Sequence, residues 1–403
     1  MNDATVELLA TCARGTGMAL AHELKALGAT DVDDQGSVVS ARGGLALIPR
    51  ANVFLRTASR VLLVVDRFAG VATPDDLIDA LSRVPFEDRL DGKGTFCIDV
   101  HLDGVPWTNS LYAAQRTKDV VVDRLRALGR GRPTVDTQRP HVRFVLSWRG
   151  TDAVLSIDTS GDALHKRGYR AGVEGRAPLR ETLAAAILAI GHADVTRPFL
   201  DPCCGTGTLA IEQAWRALRR APGRDRRFGF ERWSKRPPEL DRATALARTE
   251  ARDGELTRLP APVHASDWHP EAIDAVTRCV DAAGLKDHVA IERVDARRAE
   301  MPGARPVICS NLPFGERLAA QRLQLEGFHR TLGDRVADVD GARALFFSAC
   351  PDARWWLNLD RRSVGKPRRW NLFAGELSAQ LLRWDLPSSS TEQADRVPRT
   401  EGA

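Results

Sequence analysis

The sequence predicts an α/β protein, with a doubly wound, largely parallel sheet in its second half and a mixed α+β region ahead of it. Three observations carry that expectation. From about residue 177, short apolar runs (199–200, 262–266, 288–292, 305–310, 343–348) alternate with stretches of helical spacing (208–220, 271–283, 322–332). Such alternation marks successive βα units. The first of these strands, Phe199-Leu200, enters a Gly-rich turn, Asp201-Pro202-Cys203-Cys204-Gly205-Thr206-Gly207-Thr208, and then a helix. Open α/β sheets bind ligands at that kind of strand end. Before residue 160, strands follow one another with helices beside them, as in α+β folds.

Each element has its own signal. Val6 to Thr11 reads as a strand, and Met18 to Leu27 carries helical spacing that stops at Gly28. Gly36 and Gly43-Gly44 punctuate a hairpin around Ser37-Val38-Val39. Arg60 to Val65 is apolar and strand-like. Thr73-Pro74-Asp75-Asp76 is an N-cap with proline in the first turn of a helix. Thr95 to His101 alternates as a strand, and Lys118 to Leu128 is an amphipathic helix ending at Gly129. His141 to Trp148 and Ala153 to Asp158 are strands on either side of Arg149-Gly150. Pro178 to Ile190 is rich in helix formers. Ser388 to Ala403 is polar and aperiodic, which predicts disorder.

At 403 residues the chain has room for two or three domains. Its 43% hydrophobic and 28% charged residues describe a soluble globular protein. Arg or Asp interrupts every apolar run, so no membrane span is expected. The start, Met1-Asn2-Asp3-Ala4-Thr5, lacks the basic and apolar regions of a signal peptide, so a cytoplasmic location is expected. Seven cysteines without a Cys-x-x-Cys pair indicate free thiols, with neither a zinc site nor a disulfide framework. Net charge is +5, unevenly spread: basic residues crowd 116–149, 216–236 and 361–369. Such clusters suit a polyphosphate partner, and equally an Arg-rich solvated surface.

Asn311-Leu312-Pro313-Phe314 carries the sharpest chemistry. The Asn311 side-chain oxygen and a carbonyl fixed by Pro313 are acceptors that can hold the two hydrogens of an exocyclic amine. Phe314 can stack on the ring behind it. Alone, Asn-x-Pro is also an ordinary turn. Gly205 and Gly207 let backbone approach a ligand, but the dinucleotide spacing lacks its third glycine and no Gly-Lys-Ser/Thr follows, which disfavours pyrophosphate. Asp267 and Asp295 stand at the ends of the next two strands, where acids can accept from ribose hydroxyls and from an adenine amine. Each taken singly reads as a helix cap or turn residue. Four polar strand ends in succession favour a functional rim.

With those residues in view, the chain resembles the THUMP-domain class I methyltransferases that methylate guanine in RNA. Asp201 to Thr208 looks like their first motif, and Asn311 to Arg317 like their catalytic Asn-x-Pro-Phe/Tyr motif. Ser160 to Arg170, followed by Ala177 to Leu188, is similar to the segment joining their two halves. Asn109 to Ala114, Lys118-Asp119 and Arg132 to Asp136 are similar to the THUMP domain. Ala221-Pro222-Gly223 with Phe228 to Trp233 looks most like the large-subunit ribosomal RNA branch. Leu312 departs toward the tRNA branch, and Cys203-Cys204 is a further variation. No second methyltransferase-like segment follows in this sequence.

The resemblance implies a Rossmann-like class I methyltransferase with a seven-stranded, mostly parallel sheet, preceded by ferredoxin-like and THUMP domains. The divisions it implies are 1–50, 51–158, 159–387 and a tail at 388–403. It implies S-adenosyl-L-methionine as cofactor, contacted by Asp201, Cys203, Gly205, Gly207, Asp267, Asp295 and Asn311, with Asn311, Pro313 and Phe314 catalytic and no metal. RNA contacts fall to Arg116, Lys118, Arg124, Arg126, Arg132, Lys166, Arg167 and Arg170. The expected substrate is 23S ribosomal RNA, with tRNA as the alternative and no obligate protein partner. A DNA-adenine or protein-glutamine methylase, or a non-catalytic RNA-binding assembly protein, are the competing readings.

Overall fold

The computed structural model describes residues 5–170, 172–173, 179–314 and 319–389. Part of the joining segment, the residues after Phe314 through 318, and 390–403 of the expected tail lie outside them. In chain order the first elements are β1 (Val6–Thr11), α1 (Gly17–Ala26), β2 (Thr30–Asp34), β3 (Val38–Gly43), α2 (Leu47–Phe54) and β4 (Arg60–Phe68). Next come α3 (Pro74–Ser82), β5 (Thr95–Asp103), α4 (Ser110–Ala127), β6 (Thr134–Val135), β7 (Val142–Arg149) and β8 (Asp152–Asp158). They are followed by α5 (Glu181–Ile190), β9 (Phe199–Asp201), α6 (Thr208–Ala217), α7 (Pro238–Asp253), β10 (Val263–Asp267), α8 (Pro270–Ala282) and β11 (Val289–Arg293). The chain continues through β12 (Val307–Asn311), α9 (Ala319–Ala337), β13 (Arg343–Ser348), α10 (Ala353–Leu357), β14 (Arg368–Ala374) and β15 (Leu377–Asp385).

Two compact units result, one of Met1–Cys12, Leu20–Leu164 and Pro222–Asp253, the other of Ala13–Ala19, His165–Ala221 and Gly254–Ala403. The first unit is built on an eight-stranded sheet in the order β2-β3-β1-β4-β8-β7-β5-β6. Its pairings are antiparallel except at β5, which runs parallel to both β6 and β7. A parallel pair needs a crossover, and α4 supplies it between β5 and β7. β4 pairs with β1 on one side and β8 on the other, so the sheet runs unbroken through the expected division at 50–51, which falls inside α2. The cap at Thr73 is a full capping box: its hydroxyl accepts from Asp76 N–H and the Asp76 carboxylate accepts from Thr73 N–H at 2.8 Å. α4 begins eight residues before the helical spacing shows, where the Asn109 side chain caps Tyr112 N–H at 3.1 Å. Leu111 and Tyr112 are exposed, so its first turn shows no apolar stripe.

Helix α7 was not legible as part of this unit. It packs on α2, with Arg50 of α2 paired to Glu250 of α7. The segment returns at Gly223, whose N–H donates to the Val53 carbonyl at 2.9 Å. A Cβ on Gly223 would stand 2.3 Å from the Asn52 carbonyl oxygen, so only glycine allows this approach. Under α2, buried Asn52 bonds Thr159 and Ser160, and Ser160 Oγ accepts from Val61 N–H. Each buried polar group there has a partner, which is the condition for burying it without loss.

The second unit carries a seven-stranded sheet in the order β11-β10-β9-β12-β13-β15-β14, parallel from β11 to β13 and antiparallel at β15 and β14. Successive side chains of a strand face opposite ways. Accordingly Val307, Cys309, Leu345 and Phe347 join a core with α5, α6 and α8, while Ile308, Ala344 and Phe346 join a second core with α9 and α10. The β14–β15 hairpin was not foreseen, because Arg368 and Arg369 belong to the basic run. The tail expected to be disordered from 388 is held at its start. Ser388 Oγ and Ser389 N–H both donate to the Asp340 carboxylate. All seven cysteines are free thiols, and among the described residues no helix is long and apolar enough to cross a membrane.

Candidate active site

The parallel strands β9, β10 and β12 end on one rim, and the chain leaves β9 toward β10 on one side while β12 lies on the other. This reversal of strand order opens the crevice in which doubly wound folds bind ligands. Ala265 pairs with Asp201, and Ile308 with Leu200, so Asp267 and Asn311 each project two residues past the level of Asp201. Ser310 Oγ donates to Asp201 Oδ1 at 2.6 Å across the crevice, tying the first motif to the strand that carries Asn311.

The glycine turn is fastened to the second strand end. Gly205 N–H donates to Asp267 Oδ2 at 3.0 Å, and Cys204 N–H to the Ser266 carbonyl at 2.9 Å. Gly207 has φ of 74° and caps α6; a Cβ there would lie 2.4 Å from Val276 Cγ2 of α8. Gly205 also has positive φ, but a Cβ on it would meet nothing within 4 Å. The two glycines therefore differ in purpose: Gly207 permits packing of helix on helix, and Gly205 leaves open space at the rim. The α6 N-terminus, without a side-chain cap, adds unpaired N–H groups and a positive dipole end.

Electrostatics single out Asp201. Burial pushes its carboxyl up to about 7 and the nearby Asp267 charge adds to this, against hydrogen bonds from Ser310 and Cys203 N–H. A buried carboxyl of this kind is ready to ionise when a cation arrives. Asp295 stands two residues beyond β11, and Arg297 engages both of its oxygens, which holds its carboxyl below the usual range. Buried Asn311 Oδ1 and Ser266 Oγ have no hydrogen-bond partner. An orphaned buried acceptor is costly in a finished structure and is a natural socket for a donor. Pro313 and Phe314 are exposed beside it, Phe314 by 43%.

Leu312 points elsewhere: it is fully buried in the core with α9 and α10. Trp268 escaped the sequence reading. It follows Asp267, is 61% exposed and rests on the His269 ring at 4.3 Å. A tryptophan directly after a strand-end acid is the signal that was available.

The expected RNA-contacting residues separate into two groups. Arg116, Arg126, Arg132 and Lys166 are exposed, and Lys118 is half-buried beside Asp119 at 2.8 Å. The other three need correction. Arg167 is buried against Glu212, whose Oε1 also accepts from Tyr169. Arg170 is bonded to Glu181 at 2.5 Å, and Arg124 grips Glu87 with two bonds of 2.7 Å. These guanidinium groups are tied into protein ion pairs, and the Arg167 side chain is almost wholly buried.

Comparison with known proteins accords with this geometry. The RlmL ferredoxin-like domain matches residues 7–62, the THUMP domain 71–158, and the RMKL-like methyltransferase domain (UPF0020) 167–357. The chain belongs to the family of THUMP-domain methyltransferases that these three domains, in this order, define. Among its relatives is the ribosomal RNA large subunit methyltransferase K/L of Syntrophotalea carbinolica, 34% identical over the whole of this chain and 57% of the relative. The protein of the same name from Aeromonas salmonicida is 32% identical over 97% of this chain and 56% of its own length. The chain thus spans about half the length of these relatives. Of solved structures, SMU.472 complexed with SAH superposes with a TM-score of 0.84 at 25% identity, covering 96% of this chain and 99% of that one. A predicted N6-adenine-specific DNA methylase from Listeria monocytogenes gives 0.83 at 27% identity, covering 95% and 97%.

Proposed function

We propose that this protein uses S-adenosyl-L-methionine to methylate the exocyclic 2-amino group of a guanosine in 23S ribosomal RNA. The observation that carries the reading is the buried, unpartnered Asn311 Oδ1 at the switch point, beside exposed Phe314 and bonded through its neighbour Ser310 to the glycine turn. The residues present suit the cofactor. Gly205 leaves room for its methionine end, Asp201 supplies a carboxylate for an ammonium, and Asp267 keeps acceptor capacity for ribose hydroxyls beyond its two backbone bonds. The exposed Trp268 ring offers a face on which the adenine can stack; Asp295 can reach its amine only by sharing oxygens with Arg297. When bound, the cofactor supplies an electrophilic methyl group on a sulfonium.

The protein's part is positioning. Asn311 Oδ1 and the Pro313 carbonyl accept the two amine hydrogens, which orients the nitrogen and stabilises the positive charge it gains. Phe314 stacks on the guanine, which leaves its RNA stack to enter. The surplus proton leaves to solvent after transfer. The names of the relatives support ribosomal RNA as the substrate. Leu312 does not weigh against it, since a buried core residue answers to packing. A cytoplasmic location goes with that substrate.

Asn311→Ala tests the mechanism. It should abolish methyl transfer and leave S-adenosyl-L-methionine affinity within about twofold; full activity would sink the reading. Labelled methyl supplied to purified 23S rRNA, tRNA and DNA decides the substrate. Label in DNA alone would favour the description carried by the Listeria structure.

A further inference from the structure

We propose that a pocket in the first unit, walled by Arg60, Arg139, Arg143 and Arg232 over a floor of Gly161 and Gly229, binds one backbone phosphate of the RNA substrate. The cavity measures about 90 Å³ and is also lined by His141, Asp158 and Asp162. That is several times the space one water needs and suits a tetrahedral oxyanion rather than a base with its sugar.

The floor is bare backbone by necessity. Gly161, at φ of 77°, approaches Gly229 so closely that a Cβ on it would lie 3.0 Å from Gly229 N; a Cβ on Gly229 would lie 2.9 Å from Gly161 N. Arg232 Nη2 stands 3.4 Å from the point where a Gly161 Cβ would be, so the guanidinium hangs over this floor.

The walls are held in place. Arg60 bonds Asp158 and the Gly161 carbonyl, Arg143 bonds Asp99 and the Thr137 carbonyl, and Arg232 Nε–H donates to the Pro140 carbonyl at 3.2 Å. Fixed guanidinium forks match phosphate oxygens with little ordering cost. Four guanidinium groups stand against three carboxylates: Asp158, buried, pairs with Arg60 and accepts from Ser160 and Gly161 N–H, Asp99 pairs with Arg143, and Asp162 lines the pocket. The balance at the pocket is positive.

Its origin supports a role in RNA register. Arg60 lies in the ferredoxin-like match, Arg139 and Arg143 in the THUMP match, and Gly229 and Arg232 in the methyltransferase-domain match. All fold into one unit. A phosphate held here is gripped jointly by three stretches of the family sequence. Phosphate contacts of this type set position without reading bases.

The inference rests on RNA being the substrate. Its test compares the full chain with Arg139→Ala/Arg232→Ala, using a 23S rRNA transcript. The variant should raise KM for the transcript about tenfold, leave kcat and S-adenosyl-L-methionine affinity unchanged, and reduce the log–log salt slope of RNA binding by roughly 0.7–0.9, as for one lost phosphate. Unchanged KM and slope would overturn the proposal. Should the double variant unfold, as read by its melting curve, Arg139→Glu at an exposed position is the substitute and should act in the same direction. Inorganic phosphate separates the sources. If it binds the full chain and not the variant, while RNA affinity stays equal in both, the pocket serves free phosphate and the proposal fails. Binding and turnover are read separately. A slope change without any RNA methylation would retain the pocket and reject the proposed activity.

Discussion

Asp201 shows how one residue links burial to ligand binding. Its carboxyl titrates near 7 in the folded chain because it is buried, while an unfolded Asp titrates near 3.9. Between those values the native state binds a proton that the unfolded state has released. Stability without cofactor therefore falls as pH rises from about 4 to about 7, then levels off. The total is bounded at about 4 kcal/mol by the 1.36 kcal/mol each pH unit carries. Cofactor binding should show the opposite trend, since a cation favours the ionised carboxylate. Calorimetry should find affinity about tenfold weaker at pH 6 than at pH 8, and Asp201→Asn should flatten both profiles. A variant that keeps the slope would assign the titration to another group. The residue types at this site were readable in the chain. The raised carboxyl was not, because it depends on Ser310 and Asp267 arriving from other strands.

Among the elements, α4 separates structural charge from exposed charge. Its Arg124 clamps Glu87 in the turn after α3, and that pairing holds the Glu87 carboxyl at about 2. Arg116 and Arg126 of the same helix are exposed. Arg124→Ala should cost roughly 1 kcal/mol in urea unfolding and leave the salt slope of RNA binding intact. Arg116→Ala/Arg126→Ala should do the reverse, shallower slope with stability unchanged. Loss of slope in Arg124→Ala would return that residue to the RNA surface. Sequence spacing marks a charge as present, but only the partner decides whether it is available. The same holds for Arg167, whose partner Glu212 lies 45 residues away on α6. On β14, Arg368 and Arg369 lie at the sheet's outer edge, where charge discourages pairing with another chain.

For the whole molecule, the decisive feature is the excursion at 222–253. By sequence it sits within the methyltransferase-domain match, yet it folds with the eight-stranded sheet. α7 covers α2 with Leu240, Thr244, Ala247 and Ala251 buried. A fragment of residues 1–164 should thus be less stable than the intact unit by several kcal/mol, since it uncovers α2. Thermal unfolding of the fragment, alone and with a 222–253 peptide, measures this. A fragment as stable alone as with the peptide would contradict the assignment.

What could be read along the chain was what neighbours in sequence decide. The βα alternation, the cap at Thr73, the glycine turn and the amine-binding chemistry of Asn311, Pro313 and Phe314 rest on periodicity, backbone permissiveness and side-chain donors and acceptors. Burial and long-range pairing decided the rest. They brought Asp201 to Ser310, left Asn311 Oδ1 without a partner, sank Arg167 and Leu312 into the interior, and closed an arginine pocket around Gly161 and Gly229. The reason is physical: the energy of a buried charge or an unmet acceptor is set by whatever packs against it, and those groups come from segments far apart in the chain.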